Sequence, residues 1–227
     1  MTLTEYPDLI QGSDEWLAAR CGILTASVVG QLITPKTIKV AANVATRALT
    51  AGLVADRING WTEDHFSSYD MNLGHEIEPL ARDLYSRHYG TAVTEVGFMS
   101  FRDRTGREIG YSPDGLVGDD GLIEIKKHKP KIHLAAVCSG VVPSEHIGQI
   151  QCGLYVSGRE WCDYLSYSPG MHLWVKRVLP DPEWFAAIIE AVDMFENAAT
   201  QMVGAYLAGV DGLPATERIT YDAEMTF

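Results

Sequence analysis

The sequence predicts an α/β or α+β protein in which a sheet is sandwiched by helices, and three features carry that expectation. Apolar residues recur at helical spacing in several long segments, strand-like runs sit between them in mid-chain, and a Gly-Asp-Asp-Gly turn joins two of those runs. With 227 residues, 46% hydrophobic and 21% charged, the chain is long enough for one sizeable core. No internal repeat or long linker interrupts it, so residues 1–227 are expected to form a single domain.

The elements follow in order. Ser13 is placed to cap a short helix carrying Trp16, Leu17 and Arg20, with Gly22 ending it. A second helix begins near Thr25 to Ser27, whose hydroxyls suit an N-terminus. Residues 43–58 place Val44, Ala48, Ala51, Ala55 and Ile58 at helical spacing, and residues 72–89 do the same with Leu73, Ile77, Leu80 and Leu84. Pro79 lies inside the latter and is expected to interrupt it, because proline removes a donor and frees the His75 carbonyl. Strands are expected at 92–101, 107–111, 115–117 and 122–126, the last two joined by the turn at 118–121. In the last of them, alternation places Ile123 and Ile125 toward the core and Glu124 and Lys126 toward a cleft. Ser144 begins a helix with Ile147, Ile150 and Leu154 inward and His146, Gln149 and Gln151 on other faces. Two further strands, 163–167 and 173–179, precede a final helix capped by Asp181.

Composition narrows the function. No apolar run approaches the ~20 residues of a membrane span, and the N-terminal residues lack the pattern of a signal peptide, so a cytoplasmic protein with no membrane partner is expected. Cys21, Cys138, Cys152 and Cys162 have neither paired spacing nor a secretory context, which argues for reduced thiols rather than a disulfide framework or zinc site. The net charge of −12 argues against a protein that coats nucleic acid by bulk attraction. A local site is still open to it. The run KKHKPKIH at 126–133 gathers Lys126, Lys127, Lys129 and Lys131 beside acidic residues, and reads either as a solvated loop or as a phosphate-facing patch.

The stretch YSPDGLVGDDGLIEIKKHKP at 111–130 carries the chemistry. Asp114 and Glu124 stand on the two arms of the expected hairpin, an expensive juxtaposition unless a cation sits between them. Oxygen ligation by Asp114, Glu124 and a strand carbonyl such as that of Ile125 suits Mg²⁺ or Mn²⁺. Lys126 would then lower the pKa of a bound water or stabilise charge on phosphorus. A surface Glu-Lys pair near a turn-forming Asp is an equal reading on spacing alone.

Ser112-Pro113-Asp114-Gly115 followed by Glu124-Ile125-Lys126 resembles the PD-(D/E)XK nuclease signature, and the surrounding sequence resembles the lambda-type phage exonucleases, or YqaJ-like viral recombinases. QGSDEWLAARCGILTAS near the N-terminus, GHEIEPLAR at 74–82 and the segment with Gln149-Ile150-Gln151 match in the order the family shows, over roughly residues 11–160. The resemblance implies a central mixed sheet flanked by helices. It also implies a metal-dependent 5′-to-3′ exonuclease that leaves 3′ overhangs on double-stranded DNA for recombination by strand annealing. In it Asp114 and Glu124 hold the metal, Lys126 positions the attacking water, Glu78 supports a metal-bound water or second ion, and Gln149 holds the nucleophile or scissile phosphate. Arg20, Thr25, Ser27 and Ser112 match positions of a 5′-phosphate pocket, and a ring-shaped homotrimer and a single-strand-annealing recombination protein are implied as partners. Where the family commonly continues Glu-x-Lys with Cys-Pro, this chain has Lys127-His128-Lys129-Pro130, a departure that bears on the loop beyond Lys126. The mid-chain cysteines are too widely spaced for the iron-sulfur clamp of some related nucleases, so no cluster is expected. The alternatives are a PD-(D/E)XK endonuclease and a non-catalytic DNA-end-binding module.

Overall fold

The computed structural model describes residues 2–62 and 69–218 and, within the helix that starts at Tyr69, side chains from Glu76 onward. The chain runs β1 (Thr2–Tyr6), α1 (Asp14–Arg20), β2 (Leu24–Thr25), α2 (Ala26–Leu32), β3 (Ile33–Thr34), β4 (Lys39–Val40), α3 (Val44–Asn59) and α4 (Tyr69–Tyr89). It continues β5 (Val93–Thr94), β6 (Phe98–Arg102), β7 (Glu108–Tyr111), β8 (Gly115–Val117), β9 (Gly121–Lys127), α5 (Pro130–Ser139) and α6 (Ser144–Ser157). The last elements are β10 (Trp161–Tyr167), β11 (Trp174–Val178) and α7 (Pro182–Gly209).

The strands form a mixed five-stranded sheet, β11-β10-β9-β8-β5, and a mixed four-stranded sheet, β1-β6-β7-β2. In the first, β9 runs parallel to β10 and antiparallel to β8, so it lies in the sheet interior. One face of β9 meets a core cluster with Ala81 and Tyr85 of α4, to which Ile123, Ile125 and Leu165 contribute. The other meets the larger cluster built from α2, α6 and α7, which receives Leu122, Tyr111, Ile150, Leu154 and Ile188. Both faces of this strand are therefore covered. The expectation that Glu124 opens onto a cleft is corrected accordingly: it falls in line with Leu122 and is 0% exposed.

Local rules account for the elements that were expected. Ser13 accepts from Trp16 N at 3.3 Å, and Asn43 and Thr46 form a reciprocal capping box at the start of α3. Asp181 accepts from Glu183 N at the start of α7. The β8-β9 hairpin closes at Val117 and Gly121, with Gly118 at φ +54 supplying the left-handed residue of its loop.

Several expectations are revised. The strand expected at 92–101 is two strands in different sheets, β5 and β6, separated at Gly97. A Cβ on Gly97 would come within 1.7 Å of the Leu9 carbonyl oxygen, so the N-terminal segment crosses the chain at that point. Pro79 does not interrupt α4, which continues through it from Tyr69 to Tyr89; the expected inward position of Leu73 lies outside the described side chains. The basic run at 126–133 is not a loop. It finishes β9 and, with Pro130 in the first turn, begins α5, which Gly140 ends. Gln151 is buried; its Nε2 donates to the Leu179 carbonyl at 2.8 Å and its Oε1 accepts from Asp181 N at 2.9 Å, tying α6 to the link before α7.

α2 and α6 cross where glycine meets glycine: a Cβ on Gly148 would lie 2.7 Å from the Gly30 Cα. That approach seats the helix following Thr25 against the helix carrying Gln149. Gly148→Ala is expected to destabilise the protein by about 1–3 kcal/mol through overpacking, although alanine is the better helix former. Gly52→Ala in α3, where a new Cβ meets nothing within 4 Å, is expected to stabilise by up to about 1 kcal/mol. Denaturant titration of both variants checks the opposite signs.

Candidate active site

A cleft of about 570 Å³ opens where α1, the start of α2, the β7-β8 link, the end of β9 and α6 converge. Of the residues singled out from sequence, Arg20, Thr25, Ser27, Glu78, Ser112, Asp114, Ile125, Lys126, Lys127, Lys129 and Gln149 all line it. Glu124 is wholly buried and Lys131 stands exposed on the first turn of α5, and neither is among the lining residues.

The acidic centre is built by the hairpin. Asp114 Oδ2 accepts from Ile125 N at 2.6 Å, so the link after β7 is pinned to the middle of β9. Arg82 Nη1 donates to the Asp114 carbonyl at 3.0 Å, while its Nη2 pairs with Glu95 at 2.7 Å and Glu78 stands 3.9 Å away. Lys126 Nζ reaches Glu124 Oε1 at 2.7 Å, and the Tyr111 hydroxyl donates to Glu124 Oε2 at 3.3 Å. Burial raises Asp114 to about 6 against the pull of Lys126, with Glu78 adding to the rise. Burial raises Glu124 further, to about 7, again against Lys126 and with Asp114 adding. Burial by itself would lower the Lys126 ammonium, but Glu124 and Asp114 together hold it above the ordinary lysine value. Glu78 is raised by burial, with Arg82 and Lys126 opposing.

The donor set fits a hard divalent cation. Asp114, Glu124 and the Ile125 carbonyl offer oxygen only, and Glu124 Oε1 is a buried acceptor whose contact with Lys126 lacks hydrogen-bond geometry. Among the described residues no three His, Cys, Asp or Glu side chains converge as one cluster. A cation here would thus depend on two carboxylates, backbone and water, as Mg²⁺ sites commonly do.

Another part of the lining gathers a guanidinium and hydroxyl groups, which suit an anion. The Arg20 guanidinium stacks on the Trp16 ring at 3.8 Å and donates to Thr25 Oγ1 at 3.3 Å. Burial lowers Arg20 to about 10, so it stays cationic at neutral pH, and no carboxylate pairs with it among the described residues. Thr25 occupies the N-cap position of α2 without making the capping bond; its hydroxyl meets that of Ser27 at 3.1 Å instead. Trp16 Nε1 donates to Ser112 Oγ at 3.0 Å and to the Gly97 carbonyl at 3.1 Å.

Sequence reasoning did not single out Trp16, Tyr111, Gln11, Ile132 or His128 for this cleft, all of which line it. The spacing of Trp16 and Arg20, one helical turn apart, was the available signal for the first. Tyr111 carried one too, next to Ser112 in the motif. His128 Nε2 lies 2.6 Å from the Tyr164 hydroxyl, and His146 stacks on Tyr164 with burial lowering it to about 4, so that imidazole is neutral.

A hairpin presenting Asp114 on one side and Glu124-Ile125-Lys126 on the other, on a mixed sheet between helices, defines the PD-(D/E)XK-like fold. The chain belongs to the YqaJ-like viral recombinase family, whose domain model matches residues 15–160. Among solved structures it is similar to the alkaline exonuclease LHK-Exo from Laribacter hongkongensis, at 32% identity and a TM-score of 0.76 over 88% of this chain and 98% of that one. LHK-Exo in complex with dAMP matches with the same identity and coverage at a TM-score of 0.77. A phage related exonuclease from Haemophilus somnus 129PT shares the fold at 12% identity and a TM-score of 0.60, over 81% of this chain and 96% of that one. No curated protein is a significant match.

The buried carboxylates make stability depend on pH. The Glu124 value of about 7 lies above its ordinary 4.5, so its contribution is fully present below about pH 4.5 and is lost as the pH rises toward 7. Without metal, Glu124→Gln is therefore expected to melt higher than the parent protein above pH 7. With Mg²⁺ at about a hundred times its Kd, the parent melt is expected to rise by about 5–10 °C, and Asp114→Asn or Glu124→Gln to remove most of that rise. Thermal melts with EDTA or Mg²⁺ at several pH values check both.

Proposed function

We propose that the chain is a metal-dependent exonuclease, a single nuclease domain that hydrolyses the 5′-terminated strand of double-stranded DNA ends and leaves 3′ overhangs for recombination by strand annealing. The observation that carries this reading is one cleft holding both an acidic centre with a lysine and a half-buried arginine among hydroxyls that has no carboxylate partner among the described residues. Family membership and the alkaline exonuclease structures support nuclease activity on DNA.

Asp114, Glu124 and the Ile125 carbonyl, with Glu78 through water or a second ion, would hold Mg²⁺, with Mn²⁺ an alternative. When bound, such a cation polarises the phosphoryl group and neutralises charge developing on it. The chain's own residues do the rest. Lys126, kept cationic by Glu124 and Asp114, donates hydrogen bonds to the attacking water and to the phosphoryl oxygen that gains charge. The Gln149 amide and the Glu78 carboxylate orient that water. Arg20, Thr25, Ser27 and Ser112 hold the terminal 5′ phosphate, while Lys127 and Lys129 at the rim, with Lys131 outside it, meet the backbone of the duplex. The water oxygen joins phosphorus, the P–O3′ bond breaks and the 3′ oxygen takes a proton. The shortened strand again ends in a 5′ phosphate.

On the same reading the protein works in the cytoplasm of a bacterial or phage-infected cell, as a ring of three around DNA and beside a single-strand-annealing recombination protein. The net charge of −12 supports a ring whose basic groups face only the substrate, since an acidic exterior discourages binding elsewhere.

Incubation with Mg²⁺ of linear 5′-phosphorylated, linear 5′-hydroxyl and closed circular duplexes tests the proposal. Nucleotide release is expected fastest from phosphorylated ends and absent from circles, whereas cleaved circles would establish an endonuclease and no cleavage at all a binding module. Lys126→Ala is expected to lower kcat by about 10²–10³ while changing Kd for DNA ends little. Lys127→Ala, Lys129→Ala and Lys131→Ala should act oppositely, weakening binding and each reducing the salt slope by up to about 1. Single-turnover rates and salt-dependent binding separate the two patterns.

A further inference from the structure

We infer that Trp16 is the positioning residue of the anion pocket: its indole N–H fixes the polarity of the Ser112 hydroxyl while its ring face carries Arg20, so that both arms of the pocket present donors. This deepens the phosphate assignment made above and rests on it.

The hydroxyl groups of Ser112, Thr25 and Ser27 are each able to donate or accept, and a pocket of free hydroxyls would accommodate a terminal hydroxyl as readily as a phosphate. Their neighbours remove that freedom. Trp16 Nε1, a donor only, points at Ser112 Oγ at 3.0 Å. Ser112 oxygen thus accepts from the indole, and its own proton is left to point into the cleft that Ser112 lines. On the other arm Arg20, also a donor only, gives Nη2–H to Thr25 Oγ1 at 3.3 Å. Thr25 in turn sits 3.1 Å from Ser27 Oγ, so donation along that line leaves the Ser27 proton outward. The two arms differ in their heads but share a support, because the Arg20 guanidinium rests 3.8 Å above the Trp16 ring. The second bond of the indole, to the Gly97 carbonyl at 3.1 Å, fixes the ring against the chain crossing at Gly97. A pocket that presents only donors favours a group that only accepts, which a phosphate dianion does and a terminal hydroxyl does not.

The test measures equilibrium binding of the full chain to short duplexes bearing a 5′ phosphate or a 5′ hydroxyl, in EDTA so that nothing is cleaved, by fluorescence anisotropy. The ratio of the two affinities is the readout, because a general loss of folding lowers both and leaves the ratio unchanged. For the parent protein a ratio of roughly ten to a hundred is expected. Trp16→Phe keeps a ring beneath Arg20 and removes the N–H; it is expected to reduce the ratio about three- to tenfold. In a Ser112→Ala background the same change should reduce it little further, since the hydroxyl through which Trp16 acts is gone. A parent-like ratio in Trp16→Phe, or an effect that simply adds to that of Ser112→Ala, overturns the role of Trp16 and leaves the phosphate pocket standing. A parent ratio near one overturns the pocket, and this inference with it.

Discussion

The fold is organised around one costly requirement: a glutamate and a lysine two residues apart must be held together inside a sheet. Glu124 is wholly buried, and Lys126 and the Tyr111 hydroxyl, reaching it from the strands on which they stand, offset part of the cost of its charge. Each of these supports is itself fixed. β9 is locked between β8 and β10, and the Tyr111 ring lies so close to α6 that a Cβ on Gly153 would meet it at 2.7 Å. The helix that bears Gln149 therefore packs on the phenol that orients the glutamate.

That arrangement also explains why the cleft has two unlike ends without needing two separate scaffolds. The β7-β8 link carries Ser112 toward the hydroxyl-lined end and Asp114 toward the acidic end, and the hydrogen bond from Ile125 N holds the link in place. Arg82 reinforces the same link from α4 while neutralising Glu95 and lying near Glu78. The acidic total charge of the chain is compatible with an anion-facing cleft because Arg20, Lys126, Lys127 and Lys129 gather on its lining.

Much of this was legible in the sequence where the determinants are local. Ser13 and Asp181 announce helix starts because their side chains bond backbone within three residues, and the glycine-bounded turn at 118–121 announces the hairpin. Asp114, Glu124 and Lys126 could be paired because a hairpin converts sequence distance into adjacency. What failed depended on partners far along the chain. Alternation along β9 revealed that Glu124 and Ile125 face opposite ways, but not that α6 covers the Glu124 side as fully as α4 covers the other. The break between β5 and β6 follows from the Leu9 carbonyl at Gly97, and the bond from Trp16 to Ser112 spans 96 positions. Pro79 failed in the reverse sense, since its local rule predicted a break that the packed helix does not show.

The short spacing between Ser112 and Asp114 has a metric consequence. Two residues of chain span no more than about 7 Å between the Ser112 and Asp114 backbone, and both ends of that span are pinned. If the proposed function holds, the span would act as a calliper set to a single nucleotide. Each bond broken makes the next anchoring group, and the strand must advance by one unit before the jaws fit again. The size of the bite would be written in the covalent geometry of a Ser-Pro-Asp tripeptide, and no moving part would be needed to count.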